Sequence, residues 1–475
     1  MALKKNVTIV TIAVTLIFTG VIVGWHLYVP RSFLDIQAPG ADKRPEGSAR
    51  GIGDVLIGEY FQKYDDAVSN LDGKWIRFRG KNSDNIVLAP ETLNLSNDDY
   101  DILWTVETGE GYAGPVIYNG RLYLLDYIES MSSDALRCFD LLTGTELWRR
   151  WYRVPMRRNH GFSRTVPAIG EEYIITIGPM GHVMSCDPIT GELKWSLDMQ
   201  QKYNSVIPMW FTGQCPLVED NTVILAPAGD SILLAGYDVH SGNRIWSTPN
   251  TPNFAMSHSS VMPITINGKK MYVYVSVGGI CGVSAEEADR GALLWSTSDW
   301  RASVAVASPV LIANNRIFVT AGYGVGSAVL QIDGQGNRWS VSVVQQFRPI
   351  DGLSSEQQTP IFHNNMLIAT LPRSAGAIRE RLTMYAPSNL RTPVWTSEPS
   401  DVRSFYGPYM VINNHVFLFT EDGELFVYEI LQQSMRLVKR QRVMDGVDAF
   451  GPMAYADGIL VLGDAHTIKA LKIAE

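Results

Sequence analysis

Residues 140–148 read Asp140-Leu-Leu-Thr-Gly144-Thr-Glu-Leu-Trp148, and this pattern decides the fold because it recurs along the chain. An Asp side chain can accept hydrogen bonds from the main-chain N–H groups just ahead of it, and Gly supplies the positive φ that closes the loop. The Trp then enters a strand as a large apolar plate. Each copy therefore predicts a hairpin whose Trp packs one sheet on the next. The further copies are Asp187-Pro-Ile-Thr-Gly191-Glu-Leu-Lys-Trp195, Asp238-Val-His-Ser-Gly242-Asn-Arg-Ile-Trp246 and the degraded Glu287-Ala-Asp-Arg-Gly291-Ala-Leu-Leu-Trp295.

Two markers give the number of repeats. Tryptophans recur 44 to 56 residues apart, at Trp104, Trp148, Trp195, Trp246, Trp295, Trp339 and Trp395, and Leu437 or its neighbour continues the series. The second marker is a proline at the first residue of a strand, where its missing N–H breaks no ladder. It occurs at Pro115, Pro167, Pro216, Pro309, Pro360, Pro408 and Pro452, and Val261 stands where an eighth would be. Both markers predict eight units.

Each unit holds short apolar or alternating runs that read as strands, such as Met271-Tyr-Val-Tyr-Val and His415-Val-Phe-Leu-Phe. Four strands repeated every 40–50 residues or so, without helical periodicity after residue 104, are typical of propeller blades. We therefore predict an all-β fold, an eight-bladed β-propeller of four-stranded blades. The final unit, 449–473, supplies about three strands. Residues 102–106 are predicted to complete that blade as its outer strand, which removes an open sheet edge.

Composition narrows the class of protein. Hydrophobic residues make up 46% of the 475 and charged residues 19%, as in a globular protein. The formal net charge is −8. Since the chain carries no broad basic field for phosphate backbones, nucleic acid is not expected as a partner.

The N-terminus predicts a membrane anchor. Residues 7–29 contain no Lys, Arg, Asp or Glu. This uncharged segment is long enough to span a bilayer as one helix. Lys4 and Lys5 precede this segment, and Trp25 and Tyr28 match an interfacial aromatic anchor. Residues 1–6 are then cytoplasmic, and the protein is a single-pass protein of the bacterial cytoplasmic (inner) membrane whose propeller faces the periplasm or exterior. A cleaved signal peptide is the competing interpretation.

Residues 30–74 are predicted to form a linker with a short helix. Residues 31–52 hold Pro, Gly, Ala, Ser and alternating charges, which suits a flexible linker. Residues 56–71 have the pattern of a short amphipathic helix. The propeller is placed at residues 75–475.

The Asp-x-x-Thr/Ser-Gly turns, with Gly109-Glu-Gly-Tyr-Ala-Gly-Pro115 and Trp75-Ile-Arg-Phe-Arg-Gly80, resemble the quinoprotein-like (pyrroloquinoline quinone repeat) propellers over about residues 75–475. The sequence is most similar to non-enzymatic bacterial members, which include the propeller subunit of the outer-membrane β-barrel assembly machinery. That subunit resembles a lipoprotein, whereas this chain has a spanning segment. Other members are dehydrogenases that hold the quinone and Ca²⁺ in the central funnel, so the resemblance implies the fold strongly and the activity weakly.

The sequence departs from the dehydrogenase pattern. Many alcohol-oxidising members carry an adjacent Cys-Cys disulfide and an Asp/Glu/Asn set around Ca²⁺, and this chain has neither an adjacent Cys pair nor a clustered acidic set. The four cysteines, Cys138, Cys186, Cys215 and Cys281, are either buried side chains, which the pattern favours, or disulfide partners in one of three pairings.

No sequence motif predicts a catalytic, metal or cofactor site. The chain has no G-x-S-x-G, H-E-x-x-H, Walker A or EF-hand motif, and its eight His are scattered singly. Gly322-Tyr-Gly-Val-Gly-Ser327 looks like a phosphate loop, but it lies between two predicted strands and is interpreted as a hairpin turn.

Two groups of residues are candidates for binding. The first precedes the strand-opening prolines and should lie at the mouth of the central channel, where it either binds a small ligand or peptide or only fills the channel. It comprises Tyr112, Arg164, Gln214, His258, Gln358 and Tyr406. The second is a partner loop, which either contacts an acidic or apolar partner or is a solvated loop and a lid on the core. It comprises Arg153, Arg157, Arg158, Trp210 and Phe211.

These observations favour one hypothesis and leave others open. The first is a non-enzymatic, membrane-anchored scaffold that binds proteins or peptides in the periplasm, in envelope or outer-membrane protein assembly. The alternative is a dehydrogenase dependent on pyrroloquinoline quinone and Ca²⁺ with a variant funnel site. A third hypothesis, a propeller that senses a small ligand, is compatible with the channel residues.

Overall fold

The computed structural model describes residues 14–21, 23, 55–96, 98–313, 315–336, 338–398 and 407–475. The chain divides into two compact units, Met1–Val55 and Leu56–Glu475. In the first unit residues 14–21 and 23 are helical and exposed. No helix within the described parts of the chain has the length and apolar character needed to cross a membrane. Much of the predicted anchor, 7–29, and all of 30–54 lie outside the described residues, so the anchor and the linker stay predictions.

The described residues of the second unit form eight sheets, each with four antiparallel blade strands, which confirms the predicted eight-bladed propeller. Four strands precede the first blade in sequence: β1 (Tyr60–Lys63), β2 (Lys74–Trp75), β3 (Ile86–Val87) and β4 (Asp101–Glu107). Blade 1 contains β5 (Val116–Tyr118), β6 (Arg121–Ile128), β7 (Ser133–Asp140) and β8 (Glu146–Arg153). Blade 2 contains β9 (Ala168–Ile169), β10 (Ile174–Ile177), β11 (His182–Cys186) and β12 (Leu193–Asp198). The helix α1 (Met199–Tyr203) follows β12.

Blades 3 to 5 follow in the same order, from the innermost to the outermost strand. Blade 3 contains β13 (Leu217–Glu219), β14 (Thr222–Leu225), β15 (Ile232–Asp238) and β16 (Arg244–Pro249). Blade 4 contains β17 (Met262–Ile266), β18 (Lys269–Ser276), β19 (Gly279–Ser284) and β20 (Leu293–Thr297). Blade 5 contains β21 (Val310–Leu311), β22 (Arg316–Ala321), β23 (Gly326–Gln335) and β24 (Arg338–Phe347).

The last three blades complete the ring. Blade 6 contains β25 (Ile361–His363), β26 (Met366–Thr370), β27 (Leu382–Tyr385) and β28 (Trp395–Thr396). Blade 7 contains β29 (Tyr409–Ile412), β30 (His415–Phe419), β31 (Glu424–Ile430) and β32 (Met435–Arg442). Blade 8 contains β33 (Ala454–Ala456), β34 (Ile459–Gly463), β35 (Thr467–Lys472) and, as its outer strand, β4.

Strand β4 closes the ring as predicted. It pairs antiparallel with β35, with Val106 opposite Ile468 and Trp104 opposite Ala470. The first and last segments of the propeller therefore share one sheet, so the last blade keeps no unpaired outer edge on β35.

The repeated turns have the predicted chemistry. The Asp140 carboxylate accepts hydrogen bonds from the N–H groups of Leu142 (3.0 Å) and Thr143 (2.8 Å), and Gly144 has a φ of 71°. The indole of Trp104, from the preceding blade, lies against Gly144 and donates from Nε1 to the Leu141 carbonyl at 2.8 Å. The same Trp–Gly contact recurs between successive blades, for Trp148 with Gly191, Trp195 with Gly242 and Trp246 with Gly291. The Trp of each of these four units thus packs its sheet on the next.

The helix predicted over residues 56–71 is wrong. Residues Tyr60–Lys63 form β1, which pairs antiparallel with β8 at the outer edge of blade 1. Tyr60 stacks on Trp151 at 5.6 Å between ring centroids, and Phe61 packs against Trp148 at 6.1 Å. A strand is favoured here because it forms hydrogen bonds with the main-chain N–H and C=O groups on the outer edge of β8, which a helix would leave without partners.

Two smaller predictions are confirmed. All four cysteines are free and buried. Residues 322–325 connect β22 to β23, which pair antiparallel, so the Gly322–Ser327 stretch is a hairpin turn and no phosphate loop.

Candidate functional site

A cavity of about 120 Å³ lies on the central axis, at the mouth where the innermost strands begin. Every blade contributes to its wall, because the residues just before each innermost strand converge there. We call this cavity the funnel. It is lined by Phe78, Arg79, Asn85, Tyr112, His160, Arg164, Trp210, Gly213, Cys215, His258, Ser260, Val306, Tyr323, Gln357, Gln358, Thr359, Pro408, Phe450 and Pro452.

The floor of the funnel comes from residues 73–87, which precede the propeller repeats and cross the channel. Strand β2 pairs with β5 of blade 1, and β3 runs parallel to β29 of blade 7. Between them, the Ile76 carbonyl accepts from the Ile169 N–H of blade 2 at 2.8 Å, and Arg77 Nη1 donates to the Val218 carbonyl of blade 3 at 2.9 Å. We call residues 73–87 the plug.

The plug also reaches the remaining blades. The Gly73 N–H donates to the Asp457 carboxylate of blade 8 at 2.9 Å, and Phe78 packs against the apolar core of blades 4 and 5. Arg79 bonds to the segment that leads into blade 6. The plug therefore contacts every blade and crosses the channel at the end where the innermost strands turn back, and the funnel, as far as the described residues show, opens at the other end.

Arg79 is a buried cation in the funnel floor, with 6% of its surface exposed. Its guanidinium donates to the main-chain carbonyls of Thr359 (3.0 Å), Pro360 (3.2 Å), Ser83 (3.0 Å) and Asp84 (3.1 Å). Burial lowers the pKa of Arg79 to about 10. The side chain therefore stays charged at neutral pH, held by carbonyl dipoles.

Arg164 is the second cation of the funnel, in its wall. Its guanidinium donates to the carbonyls of Trp210 and His160 and lies 4.8 Å from the centre of the Tyr112 ring. Burial lowers the pKa of Arg164 to about 10. Among the described residues neither Arg164 nor Arg79 forms an ion pair with a carboxylate.

Aromatic rings surround the mouth on two sides. On one side Trp210 stacks on Tyr323 at 5.6 Å and on His258 at 6.2 Å. On the other side Tyr112 contacts Phe450 at 5.2 Å and His160. Burial, with the nearby charge of Arg164, lowers the pKa of His258 to about 4, so this imidazole is neutral at neutral pH. Burial raises the pKa of Tyr112 to about 12.

The backbone is strained where Trp210 enters the mouth. Trp210 and Phe211 have φ values of 67° and 71°, a region that bulky residues rarely adopt. Such strain persists only when surrounding contacts hold it, and it clusters at binding sites. Here the Arg164 bond to the Trp210 carbonyl and the packing of Phe211 on Phe162 at 5.9 Å hold the segment.

The structure brings four of the six predicted channel-mouth residues together in the funnel, namely Tyr112, Arg164, His258 and Gln358. Gln214 is placed differently: it is buried, and its amide bonds both main-chain groups of Ala226, at 2.9 and 3.1 Å. Tyr406 lies outside the described residues. Binding by any of these residues stays a prediction.

The predicted partner loop separates into two parts. Arg153, Arg157 and Arg158 are exposed, and Arg158 pairs with the Glu110 carboxylate. Trp210 lines the funnel, whereas Phe211 packs beside it. The three arginines are thus exposed and do not line the funnel, whereas Trp210 is part of its wall.

The sequence pattern does not predict the floor or part of the wall of the funnel. The Trp75–Gly80 motif indicates the fold, but nothing in it predicts that Phe78 and Arg79 enter the channel. Tyr323 was part of the Gly-rich turn, and its aromatic ring was the available signal for a role at the mouth. His160, Gln357 and Phe450 carry no local pattern.

The funnel does not fit a calcium-supported quinone. Calcium is bound by oxygen ligands, with carboxylates prominent among them, yet the lining residues include no Asp or Glu. Among the residues that the structure places, no three His, Cys, Asp or Glu side chains are grouped as a metal site would need. The plug also occupies the floor.

The fold and funnel define a class, the closed eight-bladed β-propellers with a central ligand-sized funnel. A family model described as "Outer membrane protein assembly factor BamB" matches residues 89–198 and 132–357, together more than half of the chain. The chain belongs to this family, which confirms the resemblance found in the sequence. No curated protein matches the sequence.

Solved structures share the fold at low sequence identity. BamB from Moraxella catarrhalis is 13% identical, with a TM-score of 0.50, 79% of this chain covered and 100% of that one. The quinohemoprotein alcohol dehydrogenase ADHIIG from Pseudomonas putida HK5 is 11% identical, with a TM-score of 0.57 and coverage of 84% and 80%. A europium-containing methanol dehydrogenase is 12% identical, with a TM-score of 0.55 and coverage of 83% and 90%. At such identities the likeness concerns the fold alone.

Proposed function

We propose that this protein is a non-enzymatic scaffold that binds protein or peptide partners at the funnel mouth. In this proposal residues 7–29 anchor it in the cytoplasmic membrane, and the propeller acts in the periplasm in envelope or outer-membrane protein assembly. The observation that carries the proposal is the make-up of the funnel, which offers aromatic rings, amides and two arginines but no carboxylate among its lining residues. Membership of the BamB family supports the assembly role.

Exposed apolar side chains around the mouth support a protein partner. They lie on loops that lead into the innermost strands and are exposed to water in the free protein. Exposed apolar patches of this kind favour partner binding. These residues are Val206, Met209, Ile350 and Val447.

The dehydrogenase alternative shares its fold with two of the solved structures. It would require a carboxylate to act as base and oxygen ligands for the metal. Neither is among the residues that line the funnel as described, so the scaffold is the better-supported function.

Site-specific photocrosslinking tests the partner surface. A photoreactive phenylalanine analogue in place of Met209, which is 65% exposed at the mouth, is expected to crosslink an envelope protein in intact cells. Ile189 is the matched control, because it is 61% exposed but lies on the β11–β12 turn at the other face of the propeller. The same crosslinked protein from Ile189, or none from Met209, would contradict a partner site at the mouth.

The anchor is tested by deletion. A chain without residues 7–29 is expected to leave the membrane pellet and become soluble on alkaline carbonate extraction, because the uncharged spanning segment is gone. A chain without residues 31–52, a deletion of similar size in the linker, should stay in the pellet. Retention of the variant without residues 7–29 in the pellet would mean that another part of the protein binds the membrane.

A further inference from the structure

We propose that the funnel captures the C-terminal carboxylate of an extended peptide, with Arg164 and Arg79 as its cationic partners and the last side chains against the aromatic rim. This inference rests on the proposed function and specifies which chemical group of the partner enters the site.

The charge of the funnel is the first argument. Arg79 and Arg164 lie in one cavity, bond to main-chain carbonyls and form no ion pair within the described residues. Burying a charge costs free energy unless the charge is paired. Binding of an anion in the funnel would therefore be favourable, and binding of a further cation would be unfavourable. Nε and Nη2 of Arg164 donate to carbonyls, so its Nη1 is the nitrogen that would donate to a carboxylate. All three nitrogens of Arg79 donate to carbonyls, so Arg79 contributes mainly its charge.

Among the described residues no carboxylate lines the funnel, although from outside it Asp84 acts to raise the pKa of Arg79 and Glu110 acts to raise that of Arg164, both against the lowering effect of burial. Glu110 and Asp448 raise the pKa of Tyr112, and Glu356 raises that of Tyr323, so all three lie close to the rim. None of them lines the funnel, and Glu110 is paired with Arg158. The carboxylate of a ligand would therefore be the negative group inside the cavity.

The closed floor selects a chain end. Since the plug crosses the channel, an extended peptide that enters at the mouth cannot leave at the other side. The cavity of about 120 Å³ is near the size of a space that holds one benzene ring, so it admits a terminal residue and no folded hairpin. The end of a peptide that carries negative charge is its C-terminus.

The rim supplies the remaining contacts. The Trp210–Tyr323 stack and Phe450 present apolar faces to an entering side chain. The amide of Gln357 also lines the cavity, as a group of the type that binds peptide main chain, whereas Gln358 Nε2 donates to the Phe450 carbonyl at 3.2 Å. The site therefore combines a charge that fixes the terminus with surfaces that accept varied side chains.

Fluorescence anisotropy with matched peptides tests the proposal. The probes are N-terminally fluorescein-labelled Gly-Ser-Gly-Ser-Gly-Leu-X peptides, with X as Phe, Leu or Ser, each as the free acid and as the C-terminal amide. The partner is the full chain in detergent. We expect the acid of at least one peptide to bind about tenfold or more tightly than its amide, since a charge-assisted bond is lost on amidation.

Arginine variants assign the effect to the funnel. Arg164→Gln is expected to weaken binding of the acid about tenfold and leave the amide unchanged. Arg157→Gln is the matched control, because Arg157 is exposed nearby in sequence and does not line the funnel; it should change neither. Arg79→Gln, which removes the charge in the floor, should also weaken the acid selectively.

The outcomes separate this inference from the proposed function. Equal binding of acid and amide, or no binding of either form, overturns carboxylate capture, whereas Met209 crosslinks would still support a scaffold. Displacement of the acid peptide by N-acetyl-phenylalanine but not by equal acetate supports capture of a chain end. Equal displacement by acetate would overturn it in favour of a plain anion site.

Discussion

Replacing Trp104 with alanine is expected to lower the free energy of unfolding by about 3–5 kcal/mol, as for other buried large-to-small changes. Trp104 lies on β4, the strand that closes blade 8, and is 7% exposed. Its indole packs on Gly144 of blade 1 and donates to the Leu141 carbonyl. The substitution therefore loosens both the closing strand and the contact between the first and last blades. Urea unfolding followed by far-UV circular dichroism measures the effect.

Trp339 provides the control for this experiment. It lies on β24, is half-buried, and donates its indole N–H to the Gly336 carbonyl of its own hairpin. Trp339→Ala removes the same number of atoms without touching the closure, so a loss of only about 1–2 kcal/mol is expected. Equal losses in the two variants would show that ring closure through β4 does not limit stability.

Gly242→Ala is expected to destabilise the protein by about 3 kcal/mol. One part of this loss is the cost of the left-handed conformation for a residue with a Cβ atom, and the other part is the steric clash of that Cβ with its neighbour. Gly242 has a φ of 68°, and an added Cβ would lie 2.7 Å from the Trp195 ring of the neighbouring blade. The Trp195 indole is held in turn by its bond to the Val239 carbonyl at 2.9 Å. The ring therefore has little room to move away.

Gly268→Ala isolates the backbone contribution to that loss. Gly268 has a φ of 77°, yet nothing lies within 4 Å of an added Cβ. We expect a loss of about 1 kcal/mol from the left-handed conformation alone. Thermal and urea unfolding of both variants give the difference, and identical losses would refute the interlocking of Trp195 with the Gly242 turn.

The blade pattern was readable from sequence because its chemistry is local. Asp140, Thr143 and Gly144 lie within five residues of one another, so the turn can be inferred from residue type and spacing. The repeat of Trp104 and its successors then gave the number of blades, and the shortness of the last unit gave the closing strand.

The funnel was only half predictable. Tyr112 and His258 precede innermost strands, and their place at the mouth follows from the propeller architecture. Gln214 lies two residues before Pro216, just as Gln358 lies two before Pro360 and lines the funnel, but the Gln214 side chain bonds to the main chain of Ala226 instead. Sequence position sets where the backbone goes, whereas the hydrogen-bond partners near a side chain decide where that side chain points.

The sequence by itself determined the blades, their number and the closure, since these depend on short turns and on a pattern repeated many times. Only the tertiary structure decided that residues 73–87 plug the channel and that Tyr60–Lys63 add a strand to blade 1. Arg79 meets Thr359 across a sequence separation of 280 residues, and Phe61 pairs with Arg150 of an unrelated repeat. Such single, long-range contacts have no local periodicity, because they exist only after the ring has formed and left an open channel and a free edge.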